Sequence, residues 1–202
     1  MIYRNMKYLY ILLAVIVITS CNLVKYTHSG DVNSRLDFRK GKWLLNDVTS
    51  FKNIRKDGLT EMANERFSEL IGNRLLVVSN MKGLLIPSNI SPSLDKSILK
   101  DIKYGTGYDY FIDIRTKNIS NEVGVLGASN FLTDPSKNIG EVTLSIYDLN
   151  IFKIIYSQTV VGKLVVSERD NDYAPSKNST LIIHSALKRI MKKIKKNQIK
   201  VK

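Results

Sequence analysis

The sequence is poor in the residues that build disulfides and metal sites. Its 202 residues include one cysteine, Cys21, and two histidines, His28 and His184. A single cysteine cannot form an intramolecular disulfide. The two histidines lie far apart in the chain, and with one cysteine they do not make a metal-ligand cluster. The sequence therefore predicts a fold that is held together without a metal or a disulfide.

The motifs of common enzyme classes are also missing. The sequence has no glycine-rich phosphate-binding loop and no nucleophile elbow. After Cys21 it has no apolar run long enough to span a membrane. We therefore expect a protein that is not an enzyme and binds no cofactor.

Acidic residues are few, and the net charge is strongly positive. The chain has 18 Asp and Glu against 31 Lys and Arg, a formal charge of +13. This charge suits nucleic acid, anionic lipid or acidic glycan. Lysine outnumbers arginine by more than two to one, whereas selection for phosphate contacts favours arginine. We interpret the excess mainly as a compositional bias and expect no nucleic-acid partner.

The most informative stretch is the first 21 residues. Arg4 and Lys7 precede an uncharged apolar run over residues 8–18, which is short for a membrane span. The run ends in Ile-Thr-Ser-Cys at 18–21, which resembles the bacterial lipoprotein signal. The resemblance implies that residues 1–20 are removed and that Cys21 carries acyl chains such as palmitate. The alternative is an uncleaved single-span anchor.

Residues 21–41 are polar and show no periodicity, so we predict a flexible tether that leads to one domain over 42–202. A chain that begins near Ser34 is then expected to fold without detergent. In lipoproteins of the common sorting type, Asp after the cysteine favours the inner membrane. Asn22 therefore implies the outer membrane, and the absence of an acidic cluster after it implies the periplasmic face.

The domain is predicted to be α/β, with a mixed sheet of about five strands and three helices in the order β-α-β-α-β-β-β-α. Short continuous apolar runs predict buried strands, and the run at 74–79 predicts a central strand covered on both sides. Alternation predicts a later strand and a hairpin whose second arm is led by Ile154 and Tyr156, and helical periodicity predicts the helices. The predicted strands are 42–50, 74–79, 108–115 and the two arms of 141–162, and the predicted helices are 59–71, 91–105 and 179–196.

Two carboxylates on one predicted strand are candidates for catalysis. Asp109 and Asp113 alternate onto the same face, at a spacing compatible with glycoside hydrolysis. Arg115 shares that face and predicts an ion pair instead. We favour the ion pair and keep a cell-wall glycan hydrolase as an alternative function.

Two charged helical faces have structural explanations. Glu61, Glu65 and Glu69 are spaced four apart and are expected on a solvated face. The last helix combines an apolar stripe with many lysines. We interpret it as a helix that covers the sheet and whose cations complement its dipole, and the alternative is contact with anionic lipid.

The irregular segment 116–140 carries apolar residues between glycines and a proline. Loops of this length are usually functional or disordered, and apolar residues on them indicate a contact surface. We predict an interaction loop there. Its residues are Val123, Val125, Leu126, Phe131 and Leu132.

Residues 104–110, Tyr-Gly-Thr-Gly-Tyr-Asp-Tyr, lead into a predicted strand. Together with the element order and the hairpin, they resemble an envelope domain shared by several bacterial proteins. These are the amino-terminal domain of the Tol-Pal periplasmic component, the curli secretion-channel lipoprotein and the lipoprotein activators of penicillin-binding proteins. The resemblance implies a non-catalytic envelope protein that docks onto a partner protein. A homo-oligomeric outer-membrane pore subunit is the alternative.

Overall fold

The computed structural model describes residues 23–50, 58–81, 94–121, 137–165 and 178–199. Within these ranges seven strands form one mixed sheet, and three α-helices pack against it. The strands are β1 Lys25–Gly30, β2 Trp43–Leu45, β3 Thr49–Ser50, β4 Leu75–Val77, β5 Tyr110–Asn121, β6 Lys137–Asp148 and β7 Lys153–Val165, and the helices are α1 Leu59–Ile71, α2 Lys96–Thr106 and α3 Ser179–Asn197. The predicted α/β class, with a mixed sheet and three helices, is confirmed.

The sheet order is β1-β7-β6-β5-β2-β4, and β3 also pairs with β5. The long strands β5, β6 and β7 form an antiparallel meander, as the predicted hairpin requires. The short strands β2 and β4 pair in parallel, because α1 provides the crossover between them. The apolar run at 74–79 was interpreted as a central strand, and this is wrong: β4 lies at the edge of the sheet.

Helices α1 and α3 cover one face of the sheet. The apolar stripe of α3, including Ile183, Leu187 and Ile190, is buried against strand residues such as Leu144 and Val160. This confirms the interpretation of the last helix as a covering helix. Its position depends on close packing at Gly162, where an added Cβ would clash with Ile182 Cγ2.

Helix α2 covers part of the opposite face. Phe111 and Leu44 are fully buried there beneath Leu99 and Ile102. The helix begins later than predicted: Asp95 caps it by accepting hydrogen bonds from the amides of Ser97 and Ile98. It ends at Gly107 and not at Gly105, because Gly107 adopts a φ of 71°, a left-handed conformation that favours glycine.

The segment interpreted as a tether contains a strand. β1 pairs with β7 over six residues, and further along the segment Leu36 and Phe38 are buried in the core. The Gln158 side chain donates to His28 Nδ1 across the strand pair at 3.1 Å and accepts from Tyr156 Oη at 2.6 Å. The folded sheet therefore begins at Lys25. This is about seventeen residues before residue 42, where the domain was predicted to begin because residues 21–41 show no apolar pattern.

A shortened chain that begins at Ser34 is therefore expected to be less stable than one that begins at Asn22. It loses the β1–β7 ladder and exposes the edge of β7 at Val160. We expect the free energy of unfolding to fall by about 2–4 kcal/mol, since each lost backbone hydrogen bond costs about 0.5–1.5 kcal/mol. Urea unfolding of the two chains measures the difference, and equal midpoints would show that β1 does not stabilise the domain.

Candidate interaction site

The two candidate catalytic carboxylates are held in structural contacts. Asp113 is 2% exposed, accepts from Asn46 Nδ2 at 2.9 Å and pairs with Arg115 Nε. The predicted ion pair is confirmed. Both oxygens of Asp113 are engaged by neighbouring side chains, an arrangement that suits a buried structural carboxylate.

Asp109 joins three parts of the fold. One oxygen accepts from the Lys42 amide at 2.9 Å, and the other accepts from Lys103 Nζ at 2.9 Å. The pKa of Asp109 is lowered mainly by the hydrogen bond from the Lys42 amide, and the contact with Lys103 lowers it further. A glycosidase acid needs a raised pKa. Both candidate carboxylates are therefore held by structural partners, and Asp109 does not have the raised pKa of a general acid.

The described ranges contain no group of three His, Cys, Asp or Glu side chains that could hold a metal ion. None of the helices within these ranges is long and apolar enough to cross a membrane.

The glutamate stripe of α1 is exposed, as predicted. Glu69 accepts from Lys195 Nζ of α3 at 2.7 Å and from Arg66 at 3.1 Å. The hydrogen bond from Lys195 lowers the pKa of Glu69. Beside this pair, a groove of about 280 Å³ between α1 and α3 is lined by Leu70, Met191 and several cations. Since both helices supply exposed ionic groups, these contacts contribute little to stability.

Exposed apolar side chains gather at the end of the sheet that carries the β6–β7 turn. Tyr104, at the end of α2, is 78% exposed, and Ile154, at the start of β7, is 52% exposed. The ring of Tyr104 lies 6.5 Å from Phe152 in the turn, so the helix end and the turn are neighbours. We call this surface the hairpin patch. Its residues are Tyr104, Ile151, Ile154 and Ile155.

Part of the hairpin patch lies at a register shift between β6 and β7. The pairing passes from Ile146↔Tyr156 to Tyr147↔Ile154, so Ile155 is an extra residue in β7. The sequence was interpreted as one alternation running through Ile154 and Tyr156, but Tyr156 is buried and Ile154 is not. Two adjacent isoleucines accompany this bulge, but they do not specify it, because Val160 and Val161 are also adjacent in β7 and pair in regular register with β6.

A second group of exposed apolar residues lies at the opposite end of the sheet. There β1 and β6 begin, β5 and β7 end, and α3 starts above Gly140. We call this the anchor end, because it is the end nearest in sequence to Cys21. Its exposed apolar residues are Leu23, Ile119, Val165 and Leu181.

The predicted interaction loop lies outside the described residues, and so does Cys21. The strand ends that the loop joins, Asn121 and Lys137, lie at the anchor end. The roles of Val123, Val125, Leu126, Phe131 and Leu132 therefore stay a prediction.

Neither a family model nor a curated protein matches the chain. Among solved structures, the chain is similar to the PelC dodecamer from Paraburkholderia phytofirmans, with 10% identity over 88% of this chain and 100% of that one, and a TM-score of 0.47. It is also similar to lipoprotein GNA1162 from Neisseria meningitidis, with 11% identity over 77% of this chain and 99% of that one, and a TM-score of 0.44.

The C-terminal domain of LpoB from Salmonella enterica is similar at 15% identity over 64% of this chain and 85% of that one, with a TM-score of 0.38. The neisserial protein is a lipoprotein, the class that the sequence predicts for this chain. At these scores the similarities carry no argument about function, which rests on the residues of this chain.

Proposed function

We propose that this protein is a lipoprotein of the cell envelope, anchored through Cys21, that acts without catalysis as a docking module for another envelope protein. Its location would be the periplasmic face of the outer membrane, as the residues after Cys21 imply. The hairpin patch is the observation that carries the docking role.

The position of the hairpin patch suits a docking surface. β6 runs from the anchor end to the hairpin over 12 residues, which places the two ends of the sheet roughly 37 Å apart at about 3.4 Å per residue. An anchor at Cys21 would leave the hairpin patch at the end away from the lipid. Exposed apolar patches mark protein or membrane interaction sites, and a patch at the end away from the lipid is available to a protein.

The chemistry of the hairpin patch defines the partner. Isoleucine side chains and a tyrosine ring suit an apolar protein surface, and tyrosine is enriched among the residues that dominate binding energy. Lys100, 6.0 Å from the Phe152 ring, and the exposed Lys153 add positive charge beside the patch. The partner surface should therefore be apolar at its centre and acidic at its rim.

Ile154→Asp combined with Tyr104→Ala is expected to weaken partner capture at least about tenfold, since loss of a central contact costs about 2 kcal/mol or more. The measurement is in-cell photocrosslinking from residue 151, followed by quantification of the crosslinked band. Ile199→Asp makes a similar change at an exposed isoleucine outside the hairpin patch, and it should leave the band unchanged.

A band that is equally strong in the double variant would overturn the docking role of the hairpin patch. The sequence-predicted loop is tested in the same assay with Val125→Asp and Leu126→Asp. If only these loop substitutions remove the band, docking takes place at the loop and not at the hairpin patch.

A further inference from the structure

The anchor end of the sheet is joined to Cys21 by a very short connection. β1 begins at Lys25, so only three residues separate it from Cys21. A fully extended chain covers about 3.3–3.6 Å per residue, which limits the distance between the two Cα atoms to about 14 Å. A lipid-modified Cys21 would therefore keep the start of β1 within this distance of the membrane interface.

The start of β1 cannot move away from the domain, because β1 is fixed in the sheet. Its ladder with β7 runs from Lys25↔Lys163 to Gly30↔Gln158. At the far end of the ladder, the Asp31 amide donates to the Ser157 carbonyl at 2.7 Å, and Asp31 Oδ2 accepts from the Ser157 amide at 2.8 Å. A constraint on the first residue of β1 is therefore a constraint on the whole domain.

The surface at the anchor end has the chemistry of a membrane interface. Leu23 is 82% exposed, and Leu181 in the first turn of α3 is 52% exposed. Lys25 and Lys163 are exposed and directly opposite each other in the ladder, so their side chains leave the sheet on the same face. Apolar side chains next to lysines suit the boundary between acyl chains and anionic headgroups.

We propose that the anchor end of the sheet rests on the lipid headgroups, so that the domain stands on the bilayer with β1 at its base. This proposal rests on the proposed acylation of Cys21 and names the lipid surface as the partner of the anchor end. In this arrangement the domain does not move freely on a tether. Its hairpin patch is held at a fixed height above the membrane.

The orientation of α3 fits this arrangement. The helix starts at the anchor end, and near its other end Asn197 donates to the Val32 carbonyl at 3.0 Å, beyond the end of β1. The cations of its last turns, Lys195 and Lys196, therefore lie toward the middle of the domain, away from the base. The bilayer contact belongs to the anchor end and not to the basic face of α3.

The test uses the acylated protein in vesicles of phosphatidylethanolamine and phosphatidylglycerol. Because Cys21 is the only cysteine and its sulfur is blocked by lipid, one added cysteine takes an environment-sensitive dye at a single site. Val165→Cys places the dye at the anchor end, and Ile154→Cys places it at the other end of the same strand. Both positions are exposed in the native fold.

Quenching by lipids with a nitroxide near the headgroup is expected to be at least about twofold stronger at residue 165 than at residue 154, since interfacial side chains enter the bilayer by about 5–10 Å. Flotation of the vesicles is measured on the same samples. Protein that floats but shows equal quenching at both sites overturns the standing arrangement and leaves the lipid anchor intact. Protein that does not float overturns the anchor, and the arrangement falls with it.

Discussion

Cys21→Ser is expected to remove all lipid from the protein and to leave residues 1–20 attached. Only a cysteine sulfur at this position accepts the first acyl chain in the signal that residues 18–21 resemble, and without that step the precursor is not cleaved. The measurements are incorporation of labelled palmitate, which should be lost, and the mass of the purified chain, which should include the 20-residue signal segment.

The fold of the domain should not change in this variant, because the described sheet begins only at Lys25, four residues after Cys21. Asn22→Ser is the matched control: it alters the next residue, keeps the sulfur and should retain the label. If Cys21→Ser protein is still cleaved after residue 20 and still partitions with lipid, Cys21 is not the anchor. The membrane arrangement of the anchor end would then lose its basis.

The elements that could be predicted from the sequence are those whose own side chains define a face. α3 has a full apolar stripe and was assigned nearly to the residue. The alternation of β6 and β7 predicted their hairpin but not its length: β6 begins at Lys137 and not at 141, and β7 ends at Val165 and not at 162. The segment 116–140, interpreted as irregular, therefore has strand at both ends, since β5 also continues to Asn121.

β1 has no such apolar pattern. Its inward residues, Tyr26 and His28, become half-buried only because β7 and α3 provide the surface on which they lie. Tertiary pairing decides such a strand more than its own propensity does.

The candidate surfaces depend on topology even more strongly. The hairpin patch and the anchor end each join residues from separate elements, such as Leu23 with Leu181, that no local pattern brings together. Only the strand order and the register place them at one end of the sheet. The Asp113 ion pair, in contrast, was predictable, because Arg115 lies two residues away on the same strand face.

Asp113→Ala is expected to destabilise the domain by about 2–3 kcal/mol, because a buried donor left without its acceptor costs about 1–3 kcal/mol and the charge of the partly exposed Arg115 remains hydrated. The variant takes away the acceptor of Asn46 Nδ2, on a residue that is itself buried, and the acceptor of Arg115 Nε. Since Asn46 follows β2 and Asp113 lies on β5, the loss falls where the parallel and antiparallel parts of the sheet join. Urea unfolding monitored by circular dichroism measures it.

Asp109→Ala is the matched control at the other candidate carboxylate. Asp109 is about one-third exposed at its side chain, so water can replace its hydrogen bonds, and the expected cost is about 1 kcal/mol. A double-mutant cycle with Asn46→Ala should give a coupling energy of about 1–3 kcal/mol for the Asn46–Asp113 pair. If Asp113→Ala leaves stability unchanged but abolishes hydrolysis of cell-wall glycan, Asp113 is a catalytic residue and the docking function is wrong.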